Sequence, residues 1–288
     1  MSDFPEKPEV FSIPQLPDTA TTPPAGLEAS QPTGTAVPET LPIVPRDPVW
    51  TAWDLILLAA VSILTLLVTM LAVLLAAKYW LYRGADLNDL ARNALIVVGG
   101  QSLGYVFVFA YMYGLVKIVR RARSFRDAVH WNFPANPALY LGAGVVLSIG
   151  LQLLAHLLPI PKNLPIDTFF RTPKEAWVLT IFGVIVAPLM EELLFRGFLY
   201  PVLKRHLGMG AAVLLTAFAF ALLHGSQLRF SWGPLLIILI VGLVFTIVRA
   251  QKNSVAASLL MHFSYNLTLS ALMYVGSDGF RHLEKIRQ

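Results

Sequence analysis

The chain contains no cysteine in 288 residues, which excludes both a disulfide framework and a thiolate zinc site. It is also short of charge. Only 14% of its residues are Asp, Glu, Lys or Arg, where a soluble domain carries about 25%. The hydrophobic share is 56% and the mean hydropathy +0.64, so an ordinary soluble globule is excluded and a membrane protein is expected. No basic stripe interleaved with aromatics is present, which argues against a nucleic-acid surface. HExxH is missing, and with it the zincin type of membrane protease. GxSxG is missing too, and the "HGS" at 224–226 cannot replace it, because adjacent residues do not readily form a nucleophile–base pair. The N-terminus lacks the basic start and apolar core of a signal peptide. No convincing internal repeat marks a transporter.

What is present divides unevenly. Residues 1–48 hold 11 of the 20 prolines and have two basic against seven acidic residues. Such a segment cannot bury enough apolar area to offset chain entropy, so a disordered acidic tail is expected there. The remainder has 20 basic and 10 acidic residues. Residues 55–77 and 95–116 are uncharged runs, each long enough to cross the ~30 Å hydrocarbon core as a helix. Trp50, Trp53, Tyr79, Trp80 and Tyr82 flank the first as an expected interfacial belt. Further runs cover 137–160, 177–203, 207–223, 234–248 and 254–275. The expected fold class is all-α: a polytopic transmembrane bundle of about 7–8 membrane helices. "SFRDAVHWNFP" is a candidate interfacial helix. Five basic residues within 117–126 give the strongest cytoplasmic signal in the chain.

"LMEELLFRGFLY" at 189–200 interrupts a nearly charge-free run with Glu191, Glu192 and Arg196. A charge at mid-bilayer costs at least ~2.5–3.5 kcal/mol, so these groups need partners or a task. Glu192 and Arg196 are four apart on one helix face and can pair. Glu191 is rotated away by about 100° and has only Phe195 four residues on, so a partner for it must come from another helix. An unpartnered carboxylate at that depth suits a general base. Two further polar clusters follow in apolar runs. "FALLH" puts Phe220 and His224 on one face, and "HFSYN" does the same for His262 and Asn266. Glu191, His224, His262 and Asn266 together offer a base, a second proton carrier and donors for a developing oxyanion.

At these residues the chain resembles the CPBP family of intramembrane proteases, the prokaryotic relatives of the CAAX prenyl endopeptidase, also called Abi proteins. "EELLFR", "FALLH" and "HFSYN" match that family's EExxxR, FxxxH and HxxxN motifs in order, over about residues 174–275. The resemblance implies a catalytic set of Glu191, Glu192, His224, His262 and Asn266. Glu191 with His224 would activate water, Arg196 would brace Glu192, and His262 with Asn266 would stabilise the oxyanion. Phe220 would pack behind His224. It further implies a multi-pass protein of a prokaryotic cytoplasmic membrane, acting on a membrane-associated protein or peptide.

The resulting layout is a tail over 1–48, N-terminal transmembrane helices over 49–170, a CPBP-like catalytic domain over 171–276 and a basic C-terminal tail over 277–288. The expected mechanism needs no cofactor. The alternative is zinc held by Glu191, His224 and His262, a set of three ligands of the right kinds. A non-catalytic membrane scaffold, an immunity protein or a proton-coupled transporter using the same carboxylates is the competing class.

Overall fold

The computed structural model describes residues 47–286, and within them every regular element is helical. The expected tail over 1–48 lies outside the described residues except for its last two positions. Residues 287 and 288 of the basic C-terminal tail lie outside them as well.

Polar residues set the helix starts. Thr51 and Asp54 form a capping box at the start of α1 (Ala52–Ala76), which a π-helical turn, Ala77–Leu81, extends. The one-turn helix α2 (Leu87–Ala91) leads to α3 (Ala94–Gly114), capped by Asn93 and extended by a second π turn, Leu115–Val119. The candidate interfacial helix is a single turn, α4 (Phe125–Ala128). Next comes α5 (Pro137–Ala155), with Asn136 as cap and proline in its first turn. Thr172 and Glu175 form another capping box for α6 (Pro173–Ile181). This helix runs through a π turn, Phe182–Val186, into α7 (Ala187–Glu191) and a longer π segment, Glu192–Leu199. It then continues as α8 (Tyr200–Leu223); α9 (Trp232–Lys252) and α10 (Val255–Gly276) complete the bundle.

Six helical runs are long and apolar enough to cross a membrane, and the fourth spans 51 residues, Pro173–Leu223. That run is not straight. Gly208 takes φ +80°, ψ 171° inside it, a conformation that a side chain would strain. A straight helix would put Phe195 and Phe220 ~37 Å apart. Their rings instead lie 5.3 Å apart edge to face, so the chain reverses at Gly208. The expected runs 177–203 and 207–223 are therefore the two limbs of one bent unit. The expected seven to eight spans compare with six apolar runs, one of them folded back.

The helices alternate in direction. At the end where α1 begins, Asp54 pairs with Arg120 after α3. Arg205, near the Gly208 bend, donates to the carbonyls of Pro48 (2.9 Å) and Trp50 (3.1 Å). At the opposite end Trp177 packs on Tyr274 and Phe280. The belt expectation needs one correction. Trp53, Tyr79, Trp80 and Tyr82 are exposed, but Trp50 is fully buried. Its ring stacks on Phe198, and its indole N–H donates to the Phe198 carbonyl at 3.1 Å. It pins the chain before α1 to the segment that carries the glutamates.

Two apolar clusters frame that segment. Met190, Leu193 and Phe198 belong to one, with residues of α1 and α3. Phe195 belongs to the other, with residues of α5, α8, α9 and α10. The two glutamates thus sit at the seam between the N-terminal and C-terminal helices.

Candidate active site

Glu192 and Arg196 are both wholly buried. The Arg196 Nη1–H donates to Glu192 Oε1 at 3.1 Å, its Nη2–H to the Gly242 carbonyl at 3.0 Å and its Nε–H to Thr246 Oγ1 at 3.2 Å. The Thr246 hydroxyl donates in turn to the Gly242 carbonyl at 2.6 Å. The guanidinium carbon stands 4.5 Å over the Phe220 ring. Glu192 also accepts from the Ser258 hydroxyl at 2.6 Å and from His262 Nδ1–H at 3.0 Å. Three bonds to this buried carboxylate offset the desolvation penalty that an isolated one would carry.

Glu191, one residue earlier, ends α7 and faces elsewhere. Its side chain is 13% exposed, and two imidazoles converge on it. His224 Nε2 lies 4.0 Å from its Oε1 and His262 Nε2 3.7 Å from its Oε2. Both rings have a fixed orientation. His224 Nδ1 meets the Phe220 carbonyl at 2.9 Å, and His262 Nδ1 meets the Glu192 carboxylate. A carbonyl and a carboxylate only accept, so each Nδ1 carries a proton. Each Nε2 therefore points at Glu191 with a lone pair when its ring is neutral. Gaps of 3.7–4.0 Å are too long for direct hydrogen bonds, and a water lying off the line between the groups can bridge them.

This trio lies on the wall of a cavity of about 680 Å³, which Phe220 and Asn266 also line. The cavity reaches the loops at the end of the bundle where α6 begins, with Pro165 and Gln227 on its wall. One Asn266 N–H donates to the Gly183 carbonyl at 2.7 Å; the amide carries a second. The sequence reading puts Glu192 in the catalytic set, but the structure places it behind His262, off the cavity wall. Phe220 packs against His224, with ring centroids 4.9 Å apart, and also lies under Arg196.

Several residues escaped the sequence reading. Ser258 precedes His262 by one helical turn, and that spacing was visible. Thr246 and the Gly242 carbonyl sit on α9, where no local spacing links them to Arg196. Gln101 of α3 lines the cavity, so the N-terminal helices contribute to its wall. A lone amide in an apolar run was its only signal.

Three converging acceptors also invite a metal ion. Tetrahedral zinc with ligands at about 2.0–2.1 Å holds adjacent donor atoms ~3.3 Å apart. The Glu191 oxygens stand 3.7 and 4.0 Å from the imidazole nitrogens. Among the described residues, no three His, Cys, Asp or Glu side chains are grouped so as to hold a metal ion. As arranged, these spacings are wider than those of a closed tetrahedral zinc site.

Residues 173–268 match the family model described as Type II CAAX prenyl endopeptidase Rce1-like. No curated protein and no solved structure matches the chain. The matched third of the sequence contains the bent helix, both histidines and Asn266. The segment 173–268 is accordingly a domain of the CAAX-protease (CPBP) family, a family of peptidases, set in an all-helical membrane bundle.

Proposed function

We propose that this protein hydrolyses a peptide bond of a membrane-associated protein or peptide, using a water activated by Glu191 and oriented by His224. The observation that carries the reading is the convergence of Glu191, His224 Nε2 and His262 Nε2 on one cavity wall within the helical bundle. Glu191 takes a proton from the water as its oxygen bonds to the scissile carbonyl carbon. The carbonyl electrons move to oxygen. The free Asn266 N–H faces that oxyanion, joined by His262 Nε2–H whenever the ring is doubly protonated. Collapse of the intermediate breaks the C–N bond, and the leaving amine receives the proton held by Glu191. Glu192 is a positioning residue that fixes the His262 ring. A prokaryotic cytoplasmic membrane is the expected setting, and prenylated proteins are then not the expected substrates.

The test is proteomics of new N- and C-termini in cells carrying wild-type or Glu191→Gln protein. Fragments lost in the variant, at equal protein levels, identify substrates. An unchanged fragment set with an observable wild-type signal would instead favour the scaffold reading. The convergence of three acceptors leaves zinc as a second reading. Near-stoichiometric zinc by elemental analysis, with cleavage lost on chelation and restored by zinc alone, would replace the water-only mechanism and keep the peptidase.

A further inference from the structure

A second pocket, of about 190 Å³, opens at the end of the bundle where α1 begins, and Arg249 and Tyr200 form its floor. Arg249 is only 2% exposed. Its Nε–H donates to the Arg196 carbonyl at 3.1 Å and its Nη1–H to Asn253 Oδ1 at 2.8 Å. Among the described residues no carboxylate bonds to this guanidinium, and its Nη2 has no hydrogen-bond partner. The Tyr200 ring lies 5.5 Å from the guanidinium carbon. Tyr200 is 1% exposed, and its buried hydroxyl has no partner. A buried cation with no carboxylate bonded to it and a buried hydroxyl without a bond are both costly. Both residues line the same hollow, with the exposed Lys204 on its rim.

The remaining charges are already engaged. Arg205 holds the Pro48 and Trp50 carbonyls. Asp47, on the rim and 64% exposed, accepts from His130 Nε2–H at 3.1 Å to each oxygen. His130 Nδ1 accepts from the Asn253 amide at 3.2 Å. Asp47 offsets one of the three cations of the pocket, and the hollow stays positive and rich in free donors. A solvated basic face would explain Lys204 alone. It does not explain two groups that water barely reaches.

We propose that this pocket binds a phosphate group, carried by free phosphate or by the headgroup of an anionic phospholipid. A tetrahedral oxyanion can take the Arg249 Nη2–H, the Tyr200 O–H and the Lys204 ammonium together. The volume is several times the ~30 Å³ share of one water, so the group fits. The position at a bundle end suits a headgroup, since basic pockets between membrane helices are where such lipids dock.

The test uses the full-length protein with two probes. Inorganic phosphate is titrated in detergent and followed by thermal shift. Phosphatidate in phosphatidylcholine nanodiscs is followed by native mass spectrometry. Saturable binding of either probe is expected. Saturation by phosphate assigns a free anion, and saturation by phosphatidate alone assigns a headgroup. Tyr200→Phe keeps the ring contacts and removes one donor to a charged ligand, so affinity falls about tenfold. Lys204→Gln weakens it about threefold. Arg123→Gln, an exposed change at the same end, leaves it unaltered. Absence of saturation with both probes overturns the proposal. So does wild-type affinity in Tyr200→Phe, or an Arg123→Gln loss as large as that of Lys204→Gln.

Discussion

The two adjacent glutamates should fail in different ways when each is changed to glutamine. Glu192 is fully buried and accepts from Arg196, Ser258 and His262. Glutamine keeps its size but removes the charge and one acceptor. Arg196 then stays buried without a counter-ion. Breaking such a pair from one side costs about 3–5 kcal/mol. The low end applies, because Arg196 keeps the Gly242 carbonyl, Thr246 and the Phe220 face. For a chain of this size 1 kcal/mol moves Tm by about 2–4 °C, so Glu192→Gln should melt ~6–12 °C below wild type. Among the described residues Glu191 makes no direct hydrogen bond, its approaches to His262 and His224 being 3.7 and 4.0 Å, so Glu191→Gln should stay within ~0.5 kcal/mol, or about 2 °C. Its cleavage rate should nonetheless fall ~10²–10⁴-fold through loss of the base. Thermal unfolding in detergent, paired with a peptide-cleavage assay, reads both quantities. Equal melting of Glu192→Gln and wild type would refute the buried-pair reasoning. A Glu191→Gln protein that melts as low as Glu192→Gln would refute the division of roles.

Other outcomes follow from the packing and the sequence. Gly144 of α5 lies so close to α10 that an added Cβ would meet the Ser264 hydroxyl and the Met261 carbonyl. Gly144→Ala should therefore cost about 1–3 kcal/mol and displace the turn that carries His262; Gly150→Ala, which meets nothing within 4 Å, should be harmless in the same melting assay. Deleting residues 1–45 should leave Tm unchanged, since their composition cannot form a core. Single cysteines placed across residues 117–126 should resist a membrane-impermeant thiol reagent in intact cells, with no background from native cysteine. Labelling from outside would invert the orientation.

Much of the site was legible because polar residues are rare in apolar runs. Glu191, Glu192, Arg196, His224, His262 and Asn266 stand out for that reason, and the i, i+4 spacing correctly pairs Glu192 with Arg196. The partners of Glu191 lie on α10 and at the end of α8, so no local spacing could reveal them. The runs 177–203 and 207–223 are legible as separate spans, and Gly208 is where the chain turns between them. Trp50 does not follow its position in the sequence. An aromatic beside a span end looks interfacial, and only the fold shows that this one turns inward onto Phe198. The Gly242 carbonyl has no signature in a sequence, and nothing in the spacing of Thr246 points to Arg196 on another helix.

The doublet works because one imidazole touches both of its members. Adjacent carboxylates on a helix point about 100° apart, and without a third group they would be independent sites. His262 reaches Glu192 through Nδ1 at 3.0 Å and approaches Glu191 through Nε2 at 3.7 Å. The rigid ring therefore converts the position of a buried, fully bonded carboxylate into the position of the cavity-facing nitrogen. Arg196, Ser258, Thr246 and the Gly242 carbonyl do not touch the cavity, yet each fixes Glu192 and through it the ring. His224 is held differently, by one carbonyl at the C-terminal end of α8. Its side chain is 20% exposed against 4% for His262. Of the two histidines, His224 is the more exposed and is bonded to a backbone carbonyl, and His262 is the one bonded to a buried carboxylate.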